Sequence, residues 1–199
     1  ADSDRIARRL QEIGAPVVIT YPGGVWGPHD PHYGESCQEA ESILRGAWPI
    51  VPTGGWPISD VRDLATLHTA VIERGRGPRR YMATAHFVRV PDVVSSVSRV
   101  TGRDLSTREV PNWTLLGPAR LLDAVQRWVP VKMPFTYQGT YLVSLSHRID
   151  DSATRREFGI EPRDIDTSIG DTIAWMVQIG RVPPRLAGRL GIQDRLHTT

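Results

Sequence analysis

Apolar positions along the chain fall into short runs whose period alternates between that of a helix and that of a strand. Over residues 4–13, Ile6, Leu10 and Ile13 recur at helical spacing and Gly14 ends the run. Residues 15–22, APVVITYP, then form a β-branched stretch of the buried parallel-strand kind. A second helix is predicted over 36–45, closed by Gly46, and a Pro/Gly-rich connection over 48–57 follows it. The clearest helical pattern is SDVRDLATLHTAVIERG, residues 59–75. There Val61, Leu64, Ala65, His68, Val71 and Ile72 share one face, Ser59 or Asp60 can cap the start, and Gly75 follows the end.

Further along, RRYMATA (79–85) and HFVRV (86–90) are strand candidates, and residues 90–102 form a helix with Val93, Val94, Val97 and Val100 on one side. A strand is predicted at 107–110. Helices are predicted at 118–128, 152–158 and 166–179, the last with Ile169, Ile173 and Met176 inward. Residues 182–190 look like a peripheral helix before a frayed tail. Helices and short strands in alternation predict α/β architecture.

Composition narrows the function classes. A chain of 199 residues with 40% hydrophobic content is the size of one domain and can bury a core. Its 24 basic and 22 acidic residues are scattered and leave a net charge of only +2, which gives no footprint for nucleic acid or a membrane surface. Lys132 is the sole lysine, so the positive charge is almost entirely arginine. The one cysteine, Cys37, cannot form an internal disulfide and fits a reducing, cytoplasmic location. No run reaches the ~18 apolar residues of a spanning helix.

The stretch TYPGGVWGPHDPHYG, residues 20–34, holds four glycines, three prolines and two histidines directly after the first strand. Glycine permits positive φ and close approach to the main chain, while proline fixes φ and blocks regular pairing. Such a loop is either a ligand floor or a plain turn.

Five segments in order carry a family resemblance: GAPVVITYPGGVWGPHDP, ISDVRDLATLHTAVIERG, RRYMATAHFVRVPDVVSSVSRVTGR, DDSATRREFGIEP and IGDTIAWMVQIG. Together they resemble the C-terminal half of an extended short-chain dehydrogenase/reductase, of the NAD(P)-dependent epimerase/dehydratase and dihydroflavonol-reductase-like branch. The resemblance covers residues 1 to about 190. It implies the C-terminal part of a Rossmann-like NAD(P)-binding fold plus its smaller substrate-binding region, with the N-terminal Gly-rich nucleotide-binding half absent. The strand and nicotinamide/substrate loop would occupy 16–34, the substrate-binding region about 35–60 and 103–165, and a tail 191–199.

In such enzymes the strand after the catalytic helix ends in a proline, and the residues that follow meet the nicotinamide carboxamide. Pro22, Gly23, Gly24 and Val25 stand in that place, so the implied cofactor is NAD or NADP. The next loop walls the substrate pocket, here Trp26, Gly27, Pro28 and His29. The implied partner is a small-molecule substrate.

The same resemblance shows what this sequence does not contain. The family binds the dinucleotide pyrophosphate on a Gly-rich strand-to-helix turn and moves protons with a Tyr-x-x-x-Lys pair. Neither motif occurs: Gly24 and Gly27 would need a glycine where Asp30 stands, and Trp128 lies four residues before Lys132. No catalytic residue is therefore assigned, and the chain is expected to be a fragment or partner-dependent piece that is inactive alone. Val17, Val18 and Ile19 would then lack neighbouring strands, which a missing N-terminal half or a homo-oligomer would supply. The alternative is a non-catalytic ligand-binding or interaction module derived from the family.

Other constellations have simpler readings. His29-Asp30-Pro31-His32 with Cys37 can be drawn as a metal site, but no second ligand cluster accompanies it, and no metal is assigned. His68 reads as a core or cap histidine. Asp60, Arg62 and Asp63 read as helix-start residues that complement the dipole. The apolar stretch 115–135 caps a core, lines an apolar pocket or meets a partner chain.

Overall fold

The computed structural model describes residues 2–72, 77–115, 117 and 137–191. Helix α1 (Asp2–Glu12) leads into strand β1 (Val18–Tyr21), then β2 (Gly24–Trp26) and α2 (Glu35–Leu44). Strands β3 (Ile50–Pro52) and β4 (Gly55–Asp60) run directly into α3 (Val61–Val71). Next come β5 (Arg79–Met82), β6 (His86–Arg89), α4 (Val90–Thr101) and β7 (Arg108–Val110). Helices α5 (Tyr137–Leu145), α6 (Ser152–Phe158) and α7 (Ile165–Gln178) complete the order, followed by a 3-10 turn at Pro184–Leu186. The predicted helix at 118–128, Gly75 and the tail from 192 lie outside the described residues.

Two units share these elements. In the first, β1 and β5 pair in parallel, Val18 opposite Arg79 through Tyr21 opposite Met82. Side chains alternate between the faces of a strand, so Val18 and Tyr21 point opposite ways. On the Val18 face, Leu67 and Val71 of α3 pack with Tyr81, Ala83 and Ile160, joined by Leu64 and Phe158. On the other face lies α1, whose contacts are polar: the Tyr21 hydroxyl donates to Asp4 at 2.6 Å, and the Gln11 amide donates to the carbonyls of Val17 and Arg79 at 2.8 and 3.0 Å. No described strand pairs with the other edge of β1.

The second unit holds the main core. Strand β4 pairs in parallel with β2 and antiparallel with β6, and β3 pairs in parallel with β7. Trp26, Val51 and Ile58 of these strands interdigitate with Ile43, Leu44, Val93, Val97, Ile169, Ile173 and Met176 of α2, α4 and α7. The valine stripe of α4 and the Ile169/Ile173/Met176 stripe of α7 are buried as their spacing predicts.

Four expectations need correction. The stretch 48–57 is not a plain connection, since it contributes β3 and most of β4. Proline is normally barred from a central strand. The Val90 N–H donates to the Gly54 carbonyl, so the even-numbered residues of β4 face β6 and the nitrogen of Pro57 faces the β2 side. Strand β2 joins β4 only from Ile58 onward, so Pro57 forfeits no ladder bond.

Helix α3 is rotated from its predicted face: Asp63, Leu67 and Val71 are buried, whereas His68 and Ala65 are exposed and Ile72 is 76% exposed. The cause is Asp63, whose carboxylate accepts the Arg163 backbone N–H at 2.6 Å and draws that side of the helix inward. Helix α1 presents Ile6 and Ile13 outward, 57% and 74% exposed, because its polar side is the one bonded to the sheet. Residues 182–190 are not peripheral, as Val182 and Ala187 have no exposure and belong to the main core.

Ile173 lies at the centre of that core with zero exposure. Ile173→Ala is expected to cost about 3 kcal/mol of unfolding free energy, read from the midpoint shift in a denaturant titration at unchanged slope.

Candidate functional site

The loop that follows β1 sits where the two units meet. The Ala83 N–H donates to the Tyr21 carbonyl at 3.0 Å, so the carboxyl ends of the parallel strands β1 and β5 lie side by side at its entrance. Crevices at the carboxyl ends of parallel strands are the usual ligand positions of open α/β sheets. Pro22 is exposed there, and Gly23 begins the passage to β2.

The glycines have a local cause. A Cβ on Gly23 would overlap the Pro57 carbonyl oxygen, and one on Gly27, at φ +149°, would overlap the Val61 side chain. Both residues therefore let the loop lie against β4 and the start of α3. Gly24 and Val25 are in β2, opposite Ile58 and Ser59. Trp26 is 1% exposed in the main core, and its indole N–H is buried without a hydrogen-bond partner among the described residues. Of the residues expected to line a substrate wall, His29 is the exposed one, held at φ +69° with its ring edge-on to Trp175 at 6.0 Å.

Asp30 fixes the rest of the loop. Its carboxylate accepts the backbone N–H groups of Gly34 and His32 at 2.6 and 2.9 Å, and the Cys37 thiol points at it from 3.8 Å. The Gly34 bond, against some burial, holds the Asp30 carboxyl below the ordinary carboxylate range. Burial, with the Asp30 charge, pushes the Cys37 thiol up to about 11, so it is an inert packing group. Tyr33, also at positive φ, donates its hydroxyl to Glu41 at 2.6 Å and lies beneath the Arg181 guanidinium. Among the described residues no group of three or more His, Cys, Asp and Glu side chains could hold a metal ion.

At the β4–α3 junction, Asp60 is the helix cap, accepting the Arg62 N–H at 2.8 Å. Its fully buried carboxylate also accepts Nε and Nη2 of Arg62 at 2.9 and 2.7 Å and the Ser168 hydroxyl at 2.6 Å. Burial would raise the Asp60 carboxyl, but the Arg62 and Ser168 hydrogen bonds outweigh it and the group is held low. The remaining nitrogen of Arg62, Nη1, donates to Asp171 at 2.6 Å. His68, expected in the core or at a cap, is exposed and hydrogen-bonds Thr20 of β1 at 3.0 Å.

No protein-family model matches the chain. Among curated proteins it is 23% identical over 171 residues to sterol demethylase protein B of Methylococcus capsulatus, covering 85% of this chain and 52% of that one. It is 24% identical over 185 residues to a dihydroflavonol 4-reductase-like protein of Synechocystis, covering 90% and 54%. Of solved structures, a nucleoside-diphosphate-sugar epimerase from Pseudomonas aeruginosa superposes with a TM-score of 0.69 at 21% identity, over 90% of this chain and 54% of that one. A dTDP-glucose 4,6-dehydratase from Streptomyces venezuelae, solved with NAD and TYD bound, gives 0.61 at 17% identity over 92% and 51%. The curated relatives and structural neighbours that it resembles are members of the NAD-dependent epimerase/dehydratase family. The chain's fold is the Rossmann-like epimerase/dehydratase fold in part, and it spans about half the length of the curated relatives it matches.

Set against that family, one group in the described residues stands out that periodicity did not flag. Glu39 of α2 is half-buried, and desolvation, with the charge of Glu35 one turn away, pushes its carboxyl up to about 7. The signal available in the sequence was the Glu35/Glu39 spacing, a like-charge pair at i,i+4.

Two outcomes follow. Gly23→Ala is expected to lose on the order of 2 kcal/mol of stability, measured by thermal or denaturant unfolding. An unchanged midpoint would show that the Pro57 contact does not require glycine. The Glu39 carboxyl titrates at about 7 when folded against an ordinary value of 4.5, so the folded chain holds a proton that the unfolded chain has released in that window. Stability is therefore expected to fall as pH rises from 4.5 to about 7. In Glu39→Gln that part of the melting-temperature profile is expected to flatten.

Proposed function

We propose that this chain is the substrate-side portion of an NAD(P)-dependent oxidoreductase or epimerase acting on a carbonyl or hydroxyl substrate, and that it does not turn substrate over by itself. The observation that carries this reading is the parallel pair β1–β5, whose two outer edges have no partner strand among the described residues and which delivers its carboxyl ends to the Pro22–Val25 passage. Parallel sheets are stable when flanked by further strands and covered on both faces. The bare edge of β1 and the outward apolar residues Ile6, Leu10 and Ile13 of α1 offer a place for another layer of strand and helix.

In this reading residues 1–190 are the C-terminal half of an extended reductase, with 35–60 and 103–165 contributing to substrate binding. Pro22, Gly23, Gly24 and Val25 present backbone groups to the nicotinamide carboxamide, and Trp26, Gly27 and His29 border the substrate, His29 through its exposed ring. The chain's own residues orient the ligands, while proton transfer and grip on the pyrophosphate come from a nucleotide-binding half. NAD or NADP would supply the hydride chemistry. The sterol demethylase and reductase relatives, together with the sugar-nucleotide epimerase neighbours, support a small hydroxylated or carbonyl substrate.

The decisive measurement is the intact mass and dinucleotide content of the protein isolated from its native source. The expected result is a polypeptide or tight complex well above 22.1 kDa that carries NAD(P). A lone 22.1 kDa polypeptide that binds its ligand without a dinucleotide would overturn the proposal in favour of a non-catalytic binding module.

A further inference from the structure

The chain passes between its two cores at 22–23, between Asp60 and Val61, at 83–85, at 146–151 and at 159–164. None of these passages is a flexible linker: β4 ends on the residue that caps α3, and Ala85 donates its N–H to the buried Asp151 carboxylate at 3.0 Å. What fixes the angle between the units is then the set of side chains that reach across the junction. Arg62 belongs to α3 of the first unit, whereas Asp171 and Ser168 belong to α7 of the second. Arg163, on the 159–164 passage, lies 3.8 Å from Asp60 and 3.6 Å from Asp63.

We propose that Arg62 and Asp171 form a latch between the two units, and that Arg62 is a positioning residue which holds the Pro22–Val25 passage against the carboxyl ends of β1 and β5. The geometry separates this role from simple stabilisation. Asp60 takes two prongs of the Arg62 fork, the Arg62 backbone N–H and the Ser168 hydroxyl, so its buried charge is matched without Asp171. The third prong, Nη1 to Asp171 at 2.6 Å, adds nothing to that match and serves only to tie α3 to α7. A planar, five-donor guanidinium can make both connections at once; an ammonium cannot. Asp171 is 45% exposed, so removing it leaves no buried group without a partner.

The test uses the full chain with spin labels at two exposed positions, Ile72→Cys at the end of α3 and Ile179→Cys at the end of α7, 76% and 45% exposed. Cys37 is buried and stays unlabelled. The expected result is one narrow interspin distance in the otherwise native chain and a broadened or two-peaked distribution in Asp171→Ala, with circular dichroism and melting temperature unchanged. Arg62→Lys should broaden the distribution as well, with a lowered melting temperature because Asp60 loses its forked donors, so Asp171→Ala is the deciding variant. An unaltered distance distribution in Asp171→Ala would overturn the latch, as would broadening that appears only together with a lowered melting temperature. The outcome does not depend on which dinucleotide or substrate the complete protein takes.

Discussion

Asp60 ends a strand and starts a helix with a carboxylate that has no contact with solvent, so its charge has to be met by neighbours placed within hydrogen-bond reach. Arg62, two residues on, bends back to supply a forked pair of donors, and Ser168 supplies another from α7. Removing one partner of such a buried pair typically costs about 3–5 kcal/mol. The orientation of α3, and hence the burial of Leu67 and Val71 on the β1–β5 pair, follows from this cap. The main core is tied to the same atom through α7. Both cores thus meet at one carboxylate.

This arrangement explains why the loop after β1 is so rich in glycine. Once α3 is fixed to β4, the passage from β1 to β2 has to thread past Pro57 and Val61, and any side chain at Gly23 or Gly27 would occupy their space. Backbone permissiveness is used first for packing against the chain's own strand. The surface at the carboxyl ends of β1 and β5 is already shaped by that constraint, with Pro22 and Met82 exposed on it. Asp30, bonded to Gly34 and His32, keeps His29 and Tyr33 in backbone conformations that residues with side chains rarely adopt.

Where the hydrophobic period was clean, as in the valines of α4 and the Ile169/Ile173/Met176 stripe of α7, the buried face was legible because burial alone decided it. Two of the readings that failed were ones in which a polar group decided. His68 fits the apolar period of α3, yet Asp63 and Asp60 set the helix rotation and leave His68 outside. Ile6 and Ile13 look like an inward stripe, but Gln11 and Asp4 find carbonyl and hydroxyl partners on the sheet, and the apolar side turns out. The strands hidden in 48–57 escaped because proline vetoes a central strand only where the ladder actually needs its N–H. For the site, the loop and its neighbours were legible as a position. The raised Glu39 carboxyl was legible only in the Glu35 spacing, because burial, its larger cause, does not show in the sequence.

The pairing of β1 with β5 joins Val18 to Arg79, 61 positions apart, and β2, α2, β3 and β4 all lie between them. Part of the second unit is therefore inserted between the two paired strands of the first. During synthesis β1 emerges well before its partner β5, and the loop to be closed between them is long, which slows folding. Folding order is then imposed by topology: β2 and β4 can meet early, over a separation of 34 positions from Gly24 to Ile58, while the β1–β5 pair closes late. Until it does, the β5 side of a β-branched strand remains open, and whatever covers it first, a chaperone or a neighbouring segment, governs the yield of folded chain.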